Sequence, residues 1–325
     1  MPAPRTPAQA KVLKGALLIA LAAALWATTG IAAKFLFTGS ELEPLTLGLA
    51  RLSIAFPCFF VLMLWERRHT DSSQRARITP RILLALAALG VFQAAYQGTY
   101  LVAVDLTGAG IATLIALCLS PVIVALLAAP ILGEKPGLTT LIALIAAIGG
   151  TALLVMGDMK TTGNIRLAGI AMALAAAFVY AGFTLTSRHA ASGAPVFATA
   201  FICFFTGALT LLPIVALSGG LAQLQSLGTV DWLLVVYIGL VPTCLGYLCF
   251  FAGMKNTPAT TSSIIVTLEP LFVAALAWVI LGENLAAMGI LGAVILTIAV
   301  VVASRSGAAR KPDIIARAGQ DSPAA

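Results

Sequence analysis

The chain has 325 residues, of which 60% are apolar and 10% are charged, and its mean hydropathy is +1.04. A soluble domain is about half apolar and about a quarter charged, so this chain could not hide its apolar surface from water. The formal net charge of +7 does not indicate nucleic-acid binding, because the basic residues form no stripe interleaved with exposed aromatic residues. The composition excludes a soluble globular protein and predicts a membrane protein without a nucleic-acid partner.

Ten apolar stretches are long enough to cross the hydrocarbon core, which takes about 20 helical residues. They are predicted at 15–37, 45–65, 82–104, 109–132, 137–156, 167–186, 195–217, 232–254, 259–281 and 286–303. The first stretch is too long for a signal peptide. The loops leave no room for a folded soluble domain. The predicted fold class is therefore an all-α membrane protein with ten transmembrane helices.

The distribution of Lys and Arg predicts the orientation, since cytoplasmic loops are enriched in both residues. With a cytoplasmic N-terminus, Lys160 and Arg166 fall in an outside loop. The inside loops and tails then hold Arg5, Lys11, Lys14, Arg67, Arg68, Arg75, Arg77, Arg81, Lys135, Arg188, Lys255, Arg305, Arg310, Lys311 and Arg317. Both tails, 1–14 and 304–325, are therefore predicted on the cytoplasmic side of a bacterial inner membrane.

Four side chains lie deep in the first, second, sixth and eighth stretches. Trp26 and Tyr180 are too deep for interfacial anchors, so we predict that they line a substrate cavity, and Tyr247 is assigned to the same cavity. Arg51 is placed about 9 Å inside the outer end of its helix. It either snorkels outward, pairs with an acid or holds a substrate carboxylate.

The third helix carries one polar and aromatic face, formed by Gln93, Tyr96, Gln97 and Tyr100 at spacing i, i+3, i+4 and i+7. In lipid such a face turns toward a cavity or a partner helix. Phenol and amide groups can stack on an aromatic ring and hydrogen-bond a neutral zwitterion. We predict a substrate-binding wall, with hydrogen bonding between helices as the alternative.

The ninth helix carries an acid near the bilayer midplane, Glu269, followed by Pro270. Proline removes a backbone donor and frees a carbonyl at this depth. The carboxylate then receives a substrate ammonium or a coupling proton, or it hydrogen-bonds a neighbouring helix. Pro121 in the fourth helix and Pro270 are predicted to be paired hinges, although Ser120 replaces the acid there. Glu134 is interpreted as a structural turn residue.

The two halves of the chain resemble each other. SPVIVALLAAPILGE, from Ser120 to Glu134, aligns without gaps with EPLFVAALAWVILGE, from Glu269 to Glu283. Each half, 15–156 and 167–303, has five helices, and the external linker 157–166 joins them. An odd number of helices inverts the second half relative to the first. Many secondary transporters build a midplane substrate site between such inverted repeats.

Small residues in the last helix of each half predict a close backbone contact. Gly149 and Gly150 lie in the fifth helix, and Gly289 and Gly292 lie in the tenth. They allow backbones to approach. These glycines either pack the two repeats together or form a dimer face, so both a monomer and a homodimer remain open.

The P-x11-G-E pattern that ends the fourth and ninth helices, with LEP at Leu268–Pro270, resembles the EamA-type drug/metabolite transporters. The resemblance extends over 15–303 and implies ten helices in two inverted five-helix repeats. The chain also resembles the YddG-type exporters of aromatic and other neutral amino acids. That resemblance implies amino acid export across the inner membrane.

The sequence lacks a P-loop, an HExxH motif, a GxSxG motif and a Cys/His cluster, so no catalytic residue, metal or cofactor is predicted. The five cysteines are interpreted as packing residues. We expect a secondary carrier of small metabolites, with membrane lipid around it and with or without proton coupling. Amino acids are the first substrate class; lipophilic cations, drugs and sugar-like metabolites are alternatives. A channel or an intramembrane enzyme would be a different class.

Overall fold

The computed structural model of the protein describes residues 7–69, 78–107, 109–158, 167–191, 193–281 and 287–320. Within these ranges the chain is helical and contains no strand. The helices are α1 (Pro7–Gly39), α2 (Pro44–His69), α3 (Pro80–Thr107), α4 (Ala109–Leu132), α5 (Leu138–Asp158), α6 (Leu167–Ala191), α7 (Val196–Leu217), α8 (Gly220–Gln225), α9 (Thr229–Ile238), a π-helical segment (Gly239–Leu245), α10 (Gly246–Met254), α11 (Ala259–Val266), α12 (Leu268–Leu281) and α13 (Ala287–Gln320).

Ten spans account for these helices, which confirms the predicted all-α membrane fold. Nine helical spans in the described ranges are long and apolar enough to cross a membrane, and the shorter apolar helix Leu138–Leu153 adds the tenth. The segments α9, π and α10 together form one span, and α11 with α12 forms the next. The short helix α8 connects two spans. The helix α13 continues to Gln320, beyond the predicted end at residue 303.

Lipid-facing surfaces explain why the sequence is so apolar. Large apolar side chains point away from the bundle, including Leu126, Ile145 and Val279, each of which is more than two-thirds exposed. The interior is filled instead by fully buried aromatic and aliphatic side chains such as Phe59 and Phe204. Both faces of a helix are therefore apolar, as expected for a chain whose solvent is lipid.

The packing partners of the helices reveal the inverted repeat. The contact of α3 with α6 corresponds to that of α10 with α1, and the contact of α4 with α6 corresponds to that of α11 and α12 with α1. The helices α5 and α13 are repeat mates and lie along each other, as do α2 and α7. All these contacts cross between the two five-helix units, so the repeats interlock.

Glycines bring backbones into direct contact at these crossings. A Cβ atom added to Gly150 would lie 2.8 Å from the carbonyl oxygen of Gly292, and one added to Gly90 would lie 2.7 Å from the backbone nitrogen of Gly207. Neither position has room for a larger residue. The close contact of Gly150 with Gly292 packs α5 of the first repeat against α13 of the second.

Candidate functional site

Six aromatic rings form a continuous chain through the interior, from α3 through α6 and α10 to α1. In order, they are Tyr100, Tyr96, Tyr180, Phe183, Tyr247 and Trp26. Successive ring centroids are 5.5, 5.2, 6.3, 6.2 and 4.7 Å apart, which is within the range of favourable aromatic pairs. We call these six residues the aromatic wall. The fold thus brings together five of the predicted site residues from four helices.

Tyr247 is the centre of this wall. Its hydroxyl accepts a hydrogen bond of 2.8 Å from the side-chain nitrogen of Gln93, which is buried. The bond links α3 of the first repeat to α10 of the second. The sequence left two alternatives for the polar face of α3, a substrate-binding wall or hydrogen bonding between helices. Gln93 makes a hydrogen bond between helices. Its contact with substrate stays a prediction. Gln97 is half-buried beside Gly48 of α2.

Four phenylalanines that the sequence did not single out complete the surroundings of Tyr247. Besides Phe183, they are Phe204, Phe250 and Phe251, whose rings lie 4.7 to 6.5 Å from that of Tyr247. A phenylalanine in an apolar helix carries no sign of whether it faces lipid or the interior. The spacing from a predicted tyrosine provides one, since Phe183 is three residues after Tyr180 and so shares its helix face.

Three buried donors of the predicted site have no hydrogen-bond partner among the residues that the structure describes. They are Nε1 of Trp26, the hydroxyl of Tyr180 and Nε of Arg51. A buried donor without a partner costs about 1–3 kcal/mol, so three of them near one site indicate a place where a polar ligand would be stabilised. Gly246 makes room for the indole, because a Cβ atom there would lie 2.8 Å from Nε1 of Trp26.

One basic and one acidic side chain lie near this site. The carboxyl group of Glu269 interacts electrostatically with the guanidinium of Arg51 and with the hydroxyls of Tyr96 and Tyr180. No ion pair or hydrogen bond joins Arg51 to Glu269 within the described ranges. A charge inside a membrane is expensive and is normally paired directly, so this separated pair is unusual.

A break in the ninth span positions the acid. The helix α11 ends at Val266, and the backbone N–H of Thr267 turns back to the carbonyl of Ile264 at 3.2 Å. Pro270 has no N–H to donate to Val266, so one hydrogen bond of the helical ladder is missing at this point. The helix α12 then starts at Leu268 with Glu269 in its first turn, where the helix dipole favours a carboxylate.

The predicted pair of hinges is not matched in local structure. The helix α4 runs without interruption through Pro121, whereas the equivalent span breaks just before Pro270. A hinge at Pro270 is consistent with this break, and the hinge function of both prolines stays a prediction. The structure brings Trp26, Arg51, Gln93, Glu269 and the four tyrosines of the prediction, Tyr96, Tyr100, Tyr180 and Tyr247, into one connected set.

Known proteins resemble this chain over nearly its whole length. The EamA-like transporter family matches residues 13–156 and again 167–305. The uncharacterized transporter YwfM of Bacillus subtilis (strain 168) is 30% identical over 297 residues, which cover 89% of this chain and 93% of that protein. The uncharacterized inner membrane transporter YicL of Salmonella typhimurium (strain LT2) is 27% identical over 295 residues, covering 90% and 95%.

A solved crystal structure has the same fold. It superposes with a TM-score of 0.71 over 89% of this chain and 98% of its own, at 20% sequence identity, which shows the fold alone. The family match confirms the resemblance inferred from the P-x11-G-E pattern. The chain belongs to the EamA-like transporter family and is a multi-pass membrane transporter of small substrates.

Proposed function

We propose that this transporter is a secondary carrier that exports neutral amino acids, aromatic ones included, across the bacterial inner membrane by alternating access. The proposal depends on one observation: the guanidinium of Arg51 and the carboxyl group of Glu269 lie beside the aromatic wall without pairing directly. A zwitterion carries a carboxylate and an ammonium group, which complement these two groups. An aromatic substrate side chain would stack on the tyrosines or on Trp26.

The donors without partners support the same class of substrate. Trp26, Tyr180 and Arg51 each offer a buried N–H or O–H group, and a substrate carboxylate can accept from several donors at once. A lipophilic cation, the alternative substrate, would use Glu269 and the rings but would be repelled by Arg51. The presence of Arg51 therefore favours the zwitterion.

Interlocked inverted repeats support alternating access. In carriers of this architecture, one repeat moves against the other around a site at their interface, where a helix is often interrupted. Here the break at Thr267 lies next to Glu269. The excess of Lys and Arg in one set of loops supports cytoplasmic termini, and the relative YicL is described as an inner membrane protein.

Exchange of labelled substrates, measured in proteoliposomes that contain the purified protein, tests the substrate class. We expect unlabelled phenylalanine inside the vesicles to accelerate uptake of labelled phenylalanine, because a carrier shows such trans-stimulation and a channel does not. Phenethylamine lacks the carboxylate and phenylpropionate lacks the ammonium, so both should exchange much more slowly. The proposal would be contradicted if the protein exchanged a lipophilic cation but none of the amino acids in a broad panel.

The first prediction concerns the acid of the site. Glu269→Gln keeps the shape of the side chain but removes its charge, so exchange should fall by about tenfold or more and lose its dependence on pH. Glu41→Gln, at an exposed carboxylate outside the bundle, is the matched control and should exchange at the wild-type rate. An unchanged rate and an unchanged pH profile in Glu269→Gln would show that the carboxylate has no role in transport.

A further inference from the structure

Four helix ends meet at one end of the molecule and are joined by one ion pair. Glu134 follows α4, and its Oε1 accepts a hydrogen bond of 2.7 Å from Nε of Arg188, near the end of α6. Its Oε2 accepts a second bond of 2.8 Å from the backbone N–H of Ala259, the first residue of α11. The carboxylate thus binds a cation on one side and a helix N-terminus on the other.

Arg188 extends the connection to a fourth helix. Its Nη1 donates hydrogen bonds of 2.7 Å to the carbonyl of Met254 and 3.1 Å to that of Lys255, at the end of α10. A carboxylate at a helix N-terminus and a guanidinium at a helix C-terminus both complement the helix dipoles. We call Glu134, Arg188 and these three backbone groups the latch.

The backbone at the end of α4 is shaped to present the carboxylate. Gly133 adopts φ +69, a left-handed conformation that side chains with a Cβ rarely take. The chain reverses there, and the N–H of Glu134 returns to the carbonyl of Ala128 at 3.1 Å. Glu134 is therefore more than a turn residue, because the turn directs it across to the second repeat.

The latch lies at an end of the bundle where the adjoining helix is packed. Behind it, every residue of α11 is buried, from Ala259 to Val266. The other half of the same span, α12, has exposed or half-buried side chains from Glu269 onward wherever the structure describes them. In α10, the buried side chains of Phe250 and Phe251 lie between Tyr247 of the aromatic wall and Met254 of the latch.

The chemistry of the latch suits a contact that opens and closes. The side chains of Glu134 and Arg188 are 22% and 18% exposed, so water can replace each bond when they separate. The glycine crossings of the bundle differ, because they are buried backbone contacts with no room to rearrange. Motion is therefore easier at the latch than at the crossings.

We propose that Glu134 and Arg188 form a gate that closes the transport path at this face, and that it opens in each transport cycle. The gate works through the helix ends: Glu134 holds α11 at its N-terminus, and Arg188 holds α10 at its C-terminus. When both are released, α10 and α11 can part from α4 and α6. Water then reaches α11.

Thiol accessibility tests the gate without a transport assay. Ser263 is 2% exposed in α11, so a Ser263→Cys reporter should react slowly with a membrane-impermeant thiol reagent, above the background of the five native cysteines. Adding Glu134→Gln should increase its labelling rate by about tenfold, because charge-assisted bonds are lost from the closed state. Two further variants mark the two faces of the membrane: Lys255→Cys at the latch face and Ser226→Cys at the opposite face. The faster labelling of Ser263→Cys should be seen when the reagent is added at the face where Lys255→Cys reacts, and not at the face where Ser226→Cys reacts.

Exchanging the charges of Glu134 and Arg188 gives a second test, because each side chain also contacts a helix end. Glu134→Arg combined with Arg188→Glu restores opposite charges but points a cation at the N-terminus of α11 and an anion at the carbonyls of α10. The reporter should therefore stay reactive. Protection in this double variant, or unchanged labelling in Glu134→Gln, would overturn the gate.

Two controls separate gating from misfolding. Asp231→Asn removes a carboxylate that caps the start of α9 at the opposite end of the molecule. There it accepts a hydrogen bond of 3.0 Å from the backbone N–H of Gly228. It should leave Ser263→Cys protected, and protection lost in this variant would overturn the proposal.

If Glu134→Gln does not elute as a monodisperse protein, Arg188→Lys keeps the charge without the guanidinium fork. It should give an intermediate labelling rate, and wild-type protection would equally overturn the gate.

Discussion

The span formed by α4 and the span formed by α11 and α12 occupy equivalent positions in the two repeats, yet one is continuous and the other is broken. Both carry a proline at the same position of a shared pattern, Pro121 in the first and Pro270 in the second. The helix continues through Pro121, and it stops at Val266 in its repeat mate. A proline therefore permits a helix break without dictating one.

The two spans differ in the residue three positions before the proline. At this position α4 has Cys118, and its repeat mate has Thr267. The Thr267 hydroxyl donates to its own backbone, at 2.6 Å from the carbonyl of Ile264, and stabilises the end of α11. The thiol of Cys118 is a weak donor and contacts the carbonyl of Ile148 in α5, at 3.8 Å. We expect this hydrogen bond to favour the broken form in the second repeat.

The two spans also differ in charge. Glu269 stands beside the break, where its carboxyl interacts with Arg51, whereas the equivalent Ser120 is fully buried in a continuous helix. The two spans share a sequence pattern, but they differ in structure and in a few polar residues. The comparison teaches that a repeated sequence pattern does not make the two halves alike in local structure or in polar groups.

Removing the prolines should give the largest contrast between the spans. Pro270→Ala restores an N–H that can bond Val266, and alanine is favoured over proline within a helix by about 3 kcal/mol, so the break should close. We expect exchange in proteoliposomes to fall by about tenfold or more. Pro121→Ala lies in a helix that is already continuous and should change exchange by less than about twofold. Equal effects of the two substitutions would show that the break is not used in transport.

Removing the Thr267 hydroxyl should have a moderate effect. Thr267→Val deletes the donor to Ile264 and should lower the free energy of unfolding by about 1 kcal/mol. Cys118→Val, the matched change in α4, removes only a weak bond, and the loss should stay below about 0.5 kcal/mol. Denaturant titration in mixed micelles measures both. If the loss is greater for Cys118→Val, the hydroxyl does not select the break.

Ser120→Ala should have the smallest effect. The Ser120 hydroxyl is buried and has no hydrogen-bond partner in the part of the chain that the structure describes. Its removal should therefore leave the free energy of unfolding within about 0.5 kcal/mol of wild type, or raise it slightly. The same titration measures it. A loss above about 1 kcal/mol would mean that the hydroxyl is satisfied in the membrane.

Features with a regular period or a fixed spacing could be predicted from the sequence. The length of each apolar stretch predicts the transmembrane spans, and the shared pattern around Pro121 and Pro270 predicts the internal repeat. The tyrosines and Trp26 of the aromatic wall were also predictable, because a polar group in lipid is costly and needs a reason, whereas Phe183 was not. The spacing of Tyr96 and Tyr100 on one helix face is reproduced as a stacked pair with centroids 5.5 Å apart.

Features that join distant parts of the chain could not be predicted. Glu134 reads as a turn residue and Arg188 as a loop cation, and their hydrogen bond spans 54 residues. Nothing local marks Gln93 as the partner of Tyr247 rather than a wall residue, since the two are 154 residues apart. The continuity of α4 through Pro121 could not be predicted either, because a proline removes one hydrogen bond of the helix in both repeats.

The interlocked repeats have a consequence for biosynthesis. The most extensive helix contacts join the first half of the chain to the second, so the early spans enter the bilayer before their final neighbours exist. Glu134 leaves the ribosome 125 residues ahead of Ala259, the backbone group that it caps. The last span, α13, supplies the surface that covers Gly150. A ribosome that stalls before this span would leave α5 without the helix that packs along it.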